Sequence, residues 1–381
     1  MSSLAQKYIQ NSQAAPREVF FYQHTYLRDR HLDTVRRWGE QSCSSDIVLN
    51  KAHFAPKSGA QVSSKKALAA NSGRSWKQRL PLINLKRRPP QVSKDTVVYL
   101  WGGMLSHGPH IIDLDNPLGL TGFNVDAMKL YRRVIRCLLL RKSCLEIRCL
   151  SAACRDTTAQ LFGKEVANKC VVHYPYMPQH VDPRDLSCEG DVAFLFVGTQ
   201  FEIKGGFELL SAFRRAHEVN RNMRLDVITH LPDSARKLAE HPKINVYAPN
   251  FSRGEIGERF MRRSHVLVHP SYIESFGMVI LEALSYGLAV VAADVYAVSE
   301  MIQDGKSGVL VQPPVSIWDG TLPSPHFRRW HRFKEVIRNT DSTNYEEQLF
   351  RAINMVANSR TEVLQLRRNS LELFEKKFAS L

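Results

Sequence analysis

Between Asp46 and Asp95 the sequence contains no acidic residue, yet Lys51, Lys57, Lys65, Lys66, Arg74, Lys77, Arg79, Lys86, Arg87, Arg88 and Lys94 all fall in that stretch. The formal charge of +15 is therefore concentrated rather than spread. Such a segment is drawn to anionic lipid head groups, to nucleic acid or to an acidic glycan, and it equally suits a solvated insertion rich in Ser, Ala and Gly. The seven cysteines are odd in number and form no Cys-x-x-Cys pair. A disulfide framework or a zinc site is not expected, and reduced thiols in the cytoplasm are the default. The first twenty residues lack an apolar core, so no secretory leader is expected there. The run Cys137-Leu-Leu-Leu is too short to span a bilayer, so any membrane role would be peripheral, at the inner face.

What is present is globular: 381 residues, 44% hydrophobic and 23% charged, a length that suits two domains rather than one core. Glu18-Val-Phe-Phe-Tyr reads as a first strand and Leu32 to Trp38 as a helix behind it. Thr96-Val-Val-Tyr-Leu-Trp-Gly-Gly reads as a buried strand ending in a glycine turn, and His110-Ile-Ile-Asp-Leu-Asp-Asn-Pro as the next. A helix with Leu130, Val134, Cys137 and Leu138 on one face then leads to a strand at Glu146-Ile-Arg-Cys-Leu-Ser. Three prolines within Val171 to Pro183 argue for a linker rather than an element. Beyond it strands are expected near 192–198, 223–229, 244–248, 265–269, 288–293 and 308–311. The expectation is thus α/β: two doubly wound, Rossmann-like domains with parallel sheets facing a central cleft, an N-terminal one over 1–180 with the basic insertion near 51–94, and a C-terminal one over 190–358.

The most informative segment is Ser271-Tyr-Ile-Glu-Ser-Phe-Gly-Met-Val-Ile-Leu-Glu-Ala-Leu-Ser-Tyr-Gly-Leu-Ala-Val-Val. A buried strand at His265-Val-Leu-Val-His is followed by a turn at Gly277 and a helical period through Met278, Leu281, Glu282 and Ser285. The helix N-terminus offers free N–H groups and a positive dipole end, which fit a phosphate. Glu274 lies at its mouth and Glu282 about 8 Å deeper at 1.5 Å per residue. Two carboxylates accept from hydroxyls, so the pair can hold two hydroxylated rings on either side of a phosphate, the layout of a nucleotide sugar. Alone, two glutamates eight positions apart are also ordinary solvated helix positions.

Glu274-Ser-Phe-Gly, Leu281-Glu-Ala-Leu, Tyr286-Gly-Leu-Ala-Val-Val and Glu300-Met-Ile-Gln-Asp-Gly-Lys-Ser-Gly-Val-Leu-Val, with Phe196-Val-Gly-Thr-Gln-Phe-Glu-Ile-Lys-Gly-Gly upstream, resemble the retaining family-4 glycosyltransferases of the GT-B fold in order and spacing over residues 145 to 312. The resemblance implies that Glu274 contacts the transferred sugar and Glu282 the ribose. It also implies that the backbone at Phe276, Gly277 and Met278 meets the diphosphate, beside Gly198, Thr199 and Lys204. Lys204 keeps one of the family's two cations; Thr199 stands where an Arg is usual. Glu274 and Lys204 are the implied catalytic residues, the last helix over 360–381 is expected to return to the N-terminal domain, and no metal or other cofactor is expected. The partners implied are a nucleotide-sugar donor and a glycan or lipid-linked acceptor, in envelope polysaccharide biosynthesis, with an anionic membrane surface as a further contact. Nucleic acid is not expected as a partner.

Three other features stay open. Asp113 and Asp115 alternate onto one strand face and could suit a divalent ion, but read better as cleft or loop-capping residues. His107 and His110, beside Gly102 and Gly103, are expected at the C-terminal end of a strand, where an acceptor would lie. The long insertion from Ser316 to Arg338 interleaves Phe327, Trp330 and Phe333 with Arg328, Arg329, Arg332 and Lys334, which suits an interfacial or nucleic-acid surface or, preferably, packing against the domain. Two rival readings are a nucleic-acid-binding or base-modifying protein of the same fold, and a catalytically silent partner subunit.

Overall fold

The structure is a computed structural model and describes residues 19–22, 29–41, 81–328 and 330–379. Lys51 to Arg79 of the basic stretch lie outside the described residues. The chain divides into two compact units, Met1–Pro175 and Tyr176–Leu381.

In the first unit, β1 (Val19–Phe21), β3 (Val97–Trp101), β5 (His110–Leu114), β6 (Cys144–Cys149) and β7 (Cys170–Val172) form a sheet in that order, every pairing parallel. All five residues of β3 and of β5 are buried, as expected of strands covered on both faces. A two-stranded side pair, β2 (Leu85–Lys86) with β4 (Met104–Leu105), accompanies it. Helix α1 (Asp29–Gln41) precedes β2, α2 (Val125–Leu140) joins β5 to β6, and α3 (Ala152–Phe162) follows β6. Asn124 caps α2 by accepting from the Ala127 N–H at 3.0 Å, and Ser151 caps α3 through Cys154.

Two expectations change here. The segment expected as pure linker contributes β7, whose Cys170, Val171 and Val172 pair with Ile147, Arg148 and Cys149. On α2 the buried stripe is Val125, Ala127, Met128, Ile135, Leu138 and Leu139, leaving Leu130 and Val134 exposed at 64% and 49%. A helix this rich in Leu and Met fits more than one apolar stripe, and packing chose the one a third of a turn away.

The second unit carries one six-stranded parallel sheet: β8 (Val192–Val197), β9 (Met223–Ile228), β10 (Ile244–Tyr247), β11 (Val266–His269), β12 (Ala289–Ala293) and β13 (Gly308–Val311), in the order β10-β9-β8-β11-β12-β13. These are the six expected strands, to within a residue or two at each end. Helices α4 (Gly206–Val219), α5 (Arg253–Arg259) and α6 (Met278–Ser285) provide crossovers between them. The order runs outward from β8 in one direction and from β11 in the other, so the winding reverses between those two strands. Loops leaving β8 and β11 at their C-terminal ends therefore diverge to opposite sides and open a crevice there.

Beyond β13 a hairpin of β14 (Trp318–Asp319) and β15 (Leu322–Pro323) leads to α7 (Trp330–Arg338), α8 (Thr343–Ala357) and α9 (Arg360–Phe374). Phe327 and Phe333 are each 1% exposed and meet edge to face at 5.8 Å, so the aromatics of the insertion that can be followed pack inward. Tyr345, Leu349, Ile353 and Val356 form the buried face of α8, and Val363, Leu371 and Phe374 that of α9. The last helix packs within the second unit on α6, α8 and β12. Its Arg367 donates to the Gly287 carbonyl at 2.8 Å and Ser370 to the Leu288 carbonyl at 2.6 Å. Among the described residues no helix is long and apolar enough to cross a membrane.

Candidate active site

The crevice at the winding reversal gathers the residues the sequence singled out. The loop after β8 carries Gly198, Thr199 and Lys204; the loop after β11 carries Glu274 and opens α6. They are locked together at Gly205. Its φ is +72°, and a Cβ there would stand 2.0 Å from the Pro270 carbonyl oxygen, so only glycine allows the two loops this approach. Tyr272 N–H donates across the same junction to the Ile203 carbonyl at 3.0 Å.

That junction delivers the Lys204 ammonium to Glu274 Oε1, with a second donation to the Ile273 carbonyl at 3.3 Å. His269, the last residue of β11 and 1% exposed, places Nε2 2.7 Å from the same Oε1. A carboxylate accepts, so Nε2 carries the proton in this tautomer. Burial alone would raise the Glu274 carboxyl; Lys204 and His269 outweigh it and hold the group down to about 2. Burial lowers His269, with Glu274 opposing and Lys204 assisting. Both contacts fall on Oε1, and none reaches Oε2 among the described residues. A fixed, ionised carboxylate with one free oxygen is a directed acceptor for a hydroxyl.

Gly277, with φ +92°, turns the chain into α6 without a side-chain cap. The N–H groups of Gly277, Met278 and Val279 have no acceptor among the described residues. Orphan donors at a helix start, with the positive dipole end behind them, form an anion site, and Lys204 reaches the adjoining loop. Deeper on α6, Glu282 meets Arg253 of α5, with Arg253 Nε 2.8 Å from Oε1. Sequence reading missed Arg253 and His269. His269 closes a strand read only as apolar, and Arg253 sits in a helix-start motif, Ser252-x-x-Glu255, whose reciprocal caps gave no hint of a partner on the neighbouring helix.

Thr199 is exposed and makes no side-chain bond among the described residues. On the other side of Glu274 the Trp318 indole donates to the Glu274 main-chain carbonyl at 3.0 Å. The indole also stacks on Tyr296 with 4.1 Å between ring centroids and 14° between planes. Tyr296 follows β12 with φ +56°, a left-handed backbone that costs a non-glycine residue on the order of 1 kcal/mol.

The remaining candidates belong to the first unit. His110 opens β5 opposite Val98 and Cys144, at the N-terminal edge of its sheet, because the chain after Gly102 and Gly103 runs back through β4 before β5 begins. It is 1% exposed, bonds through Nδ1 to the Gly108 carbonyl at 2.9 Å, and burial lowers it to about 4. His107 is exposed beside Ser106. Neither occupies the ligand-binding edge expected of it. Asp113 and Asp115 are bridged by Arg30, at 2.9 and 2.6 Å, and Tyr99 donates to Asp113 at 2.7 Å. The two carboxylates raise the Arg30 guanidinium despite the opposing effect of its burial.

Residues 182–319 match the family described as glycosyl transferases group 1. A D-inositol 3-phosphate glycosyltransferase of Streptomyces bingchenggensis is 35% identical over 104 residues, which is 26% of this chain and 21% of that protein. The matched stretch thus spans about a fifth of that curated relative. Among solved structures, the Anabaena protein HepE in complex with UDP and glucose is similar over 95% of both chains, with a TM-score of 0.58 and 13% identity. The pneumococcal O-GlcNAc transferase GtfA in complex with UDP and GlcNAc covers 76% of this chain, and this chain 55% of it, with a TM-score of 0.50 and 12% identity. At these identities the likeness shows the fold, which is GT-B.

Proposed function

We propose, from the match of residues 182–319 to the glycosyl transferases group 1 family, that this chain transfers a sugar from a nucleotide-diphosphate donor to a glycan or lipid-linked acceptor, with retention of configuration and without a metal. The observation that carries the reading is the convergence of Lys204 and Glu274 beside the open N-terminus of α6. Three uncapped N–H groups, a helix dipole and an ammonium together neutralise the charge that develops on a leaving diphosphate, the role a divalent ion plays elsewhere. Glu274 directs Oε2 to a hydroxyl of the transferred sugar, and Glu282 accepts from the ribose. With no second carboxylate placed as a nucleophile in this reading, the departing diphosphate takes the acceptor proton on the same face. The complexes of HepE with UDP and glucose and of GtfA with UDP and GlcNAc support UDP as the first nucleotide to try.

The test is a thermal-shift screen against UDP, GDP, ADP and TDP, followed by donor hydrolysis with the sugar nucleotides of the base that binds. A ligand at about 100 times its Kd stabilises by roughly 2.7 kcal/mol, which is easily read. Stabilisation by one nucleotide together with release of free sugar from its donor supports the enzyme. Binding with no hydrolysis by the purified chain would identify a silent partner subunit instead.

A further inference from the structure

The insertion after β13 reaches the Glu274 main chain through the side chain of Trp318. Trp318 stands at the base of the β14–β15 hairpin, 5% exposed, while Asp319 and Gly320 at its tip are exposed. The base is fixed by the Ser324 N–H donating to the Ile317 carbonyl at 2.8 Å and by the Trp318 N–H donating to Ser316 Oγ at 3.1 Å. From this footing the indole makes two contacts of different kinds: the bond to the Glu274 carbonyl and the stack on Tyr296. The stack is held at a cost, because Tyr296 is one of only two non-glycine residues with positive φ among the described residues. Strain kept at a residue whose ring stacks on the indole bonded to a functional loop points from the outlier to a role.

Among the described residues Glu274 is otherwise bonded only through its carboxylate, at a single oxygen. A side chain pinned at its tip still swings if the backbone behind it moves, and the Glu274 carbonyl sets the peptide plane leading into Ser275. We propose that Trp318 is a positioning residue for Glu274, clamping its main chain from the hairpin, and that Tyr296 is the platform that holds the indole in place. The inference rests on the glycosyltransferase reading, in which Glu274 meets the transferred sugar. The Lys204 ammonium and the start of α6 meet the diphosphate whether or not the clamp is closed, so the clamp acts on turnover rather than on nucleotide binding. Holding a reacting group to within about half an ångström is what separates a working site from a loose one.

The experiment compares Trp318→Phe, which keeps an aromatic stack and deletes the donor, with Tyr296→Gly, which relieves the backbone and deletes the ring, and Tyr296→Phe as control. Three quantities are read: turnover at saturating donor, nucleotide affinity by calorimetry, and the titration of the Glu274 carboxyl by NMR with carbon-labelled glutamate, assigned through Glu274→Gln. Trp318→Phe is expected to lower turnover about tenfold or more, to leave nucleotide Kd within about twofold, and to move the Glu274 titration upward toward an ordinary carboxyl. Tyr296→Gly is expected to melt no lower than the wild type and yet lose turnover, a combination that a merely structural role does not give. Wild-type turnover and an unmoved Glu274 titration in Trp318→Phe would overturn the proposal, as would parallel loss of melting temperature, affinity and turnover in both variants. If the wild-type chain hydrolyses no donor, the glycosyltransferase reading fails by itself, and the Glu274 titration still decides whether Trp318 positions that residue.

Discussion

Arg253 Nε lies 2.8 Å from Glu282 Oε1, so the carboxylate expected to hold a ribose is joined to a guanidinium from the neighbouring helix. Both side chains are partly exposed, at 25% and 19%, which limits what the pair contributes to stability. Its use is orientation: a paired carboxylate keeps its direction.

The expected result for Arg253→Met is weaker nucleotide binding, by about tenfold, with a smaller loss than in Glu282→Gln, since charge-assisted hydrogen bonds are worth about 1.5–3 kcal/mol. Calorimetry with the preferred nucleoside diphosphate measures both. Tighter binding in Arg253→Met would mean that the guanidinium competes with the ribose for Glu282.

Glu274→Gln keeps the size of the side chain and removes the charge that Lys204 and His269 converge on. Turnover at saturating donor should fall roughly ten- to a hundredfold, at about 1.36 kcal/mol per decade, while nucleotide affinity changes little. Equal loss of nucleotide affinity in Glu274→Gln and Glu282→Gln would remove the division into sugar-side and ribose-side carboxylates.

Most of this site was legible in sequence because strand-turn-helix chemistry is local. The order apolar strand, glycine, helical period fixes where Glu274, Gly277 and Glu282 fall relative to one another. Contacts between loops of high sequence separation were not legible. Nothing in the pattern around His265-Val-Leu-Val-His separates a buried histidine at a strand end from a satisfied core residue, and Trp318 lies 44 positions from the carbonyl it serves. The first-unit histidines were misplaced for a related reason. A glycine turn marks the end of a strand but says nothing of whether the next residues stay at that edge or, as here, cross back before His110.

Acid should expose the ion-paired state of Glu274. Its folded carboxyl is held at about 2, below the ordinary 4.5, so its contribution to stability is present above the unfolded value and is lost as pH falls from about 4.5 toward 2. His269 adds in the same direction. Its folded value is lowered below the ordinary 6.5, so the unfolded chain takes up a proton first and stability declines as pH drops below that value. Urea unfolding from pH 7 to pH 3 should therefore show a shallower acid loss in Glu274→Gln than in the wild type. An identical acid limb in the two proteins would contradict the ionised carboxylate.

Turnover should survive EDTA. The positive charge proposed to meet the diphosphate comes from Lys204 and the N-terminus of α6, both part of the chain. Activity abolished by the chelator and restored only by added Mg²⁺ or Mn²⁺ would overturn the metal-free part of the proposal.

The junction between the two site loops makes a sharper prediction about folding. At Gly205 a methyl group would sit 2.0 Å from the Pro270 carbonyl oxygen and 2.9 Å from its carbonyl carbon, atoms of the main chain that cannot rotate away, and the residue has φ +72°. Left-handed backbone costs a non-glycine residue about 1–2 kcal/mol before any clash is counted. Gly205→Ala must therefore either push the Lys204 loop off Pro270 or fail to fold, and a loss of at least about 2 kcal/mol is expected. At roughly 2–4 °C per kcal/mol for a unit of this size, the melting temperature should drop by about 4–8 °C or more. Gly254→Ala is the matched control. It lies inside α5, has nothing within 4 Å of its would-be Cβ and takes no left-handed backbone, so alanine should be neutral or stabilise by up to about 1 kcal/mol. If folded Gly205→Ala protein is obtained, moving the loop separates Lys204 from Glu274, and donor turnover should fall further than thermal stability alone explains. A Gly205→Ala protein that melts and turns over like the wild type would show that the two loops do not meet as closely as the Lys204–Glu274 contact requires.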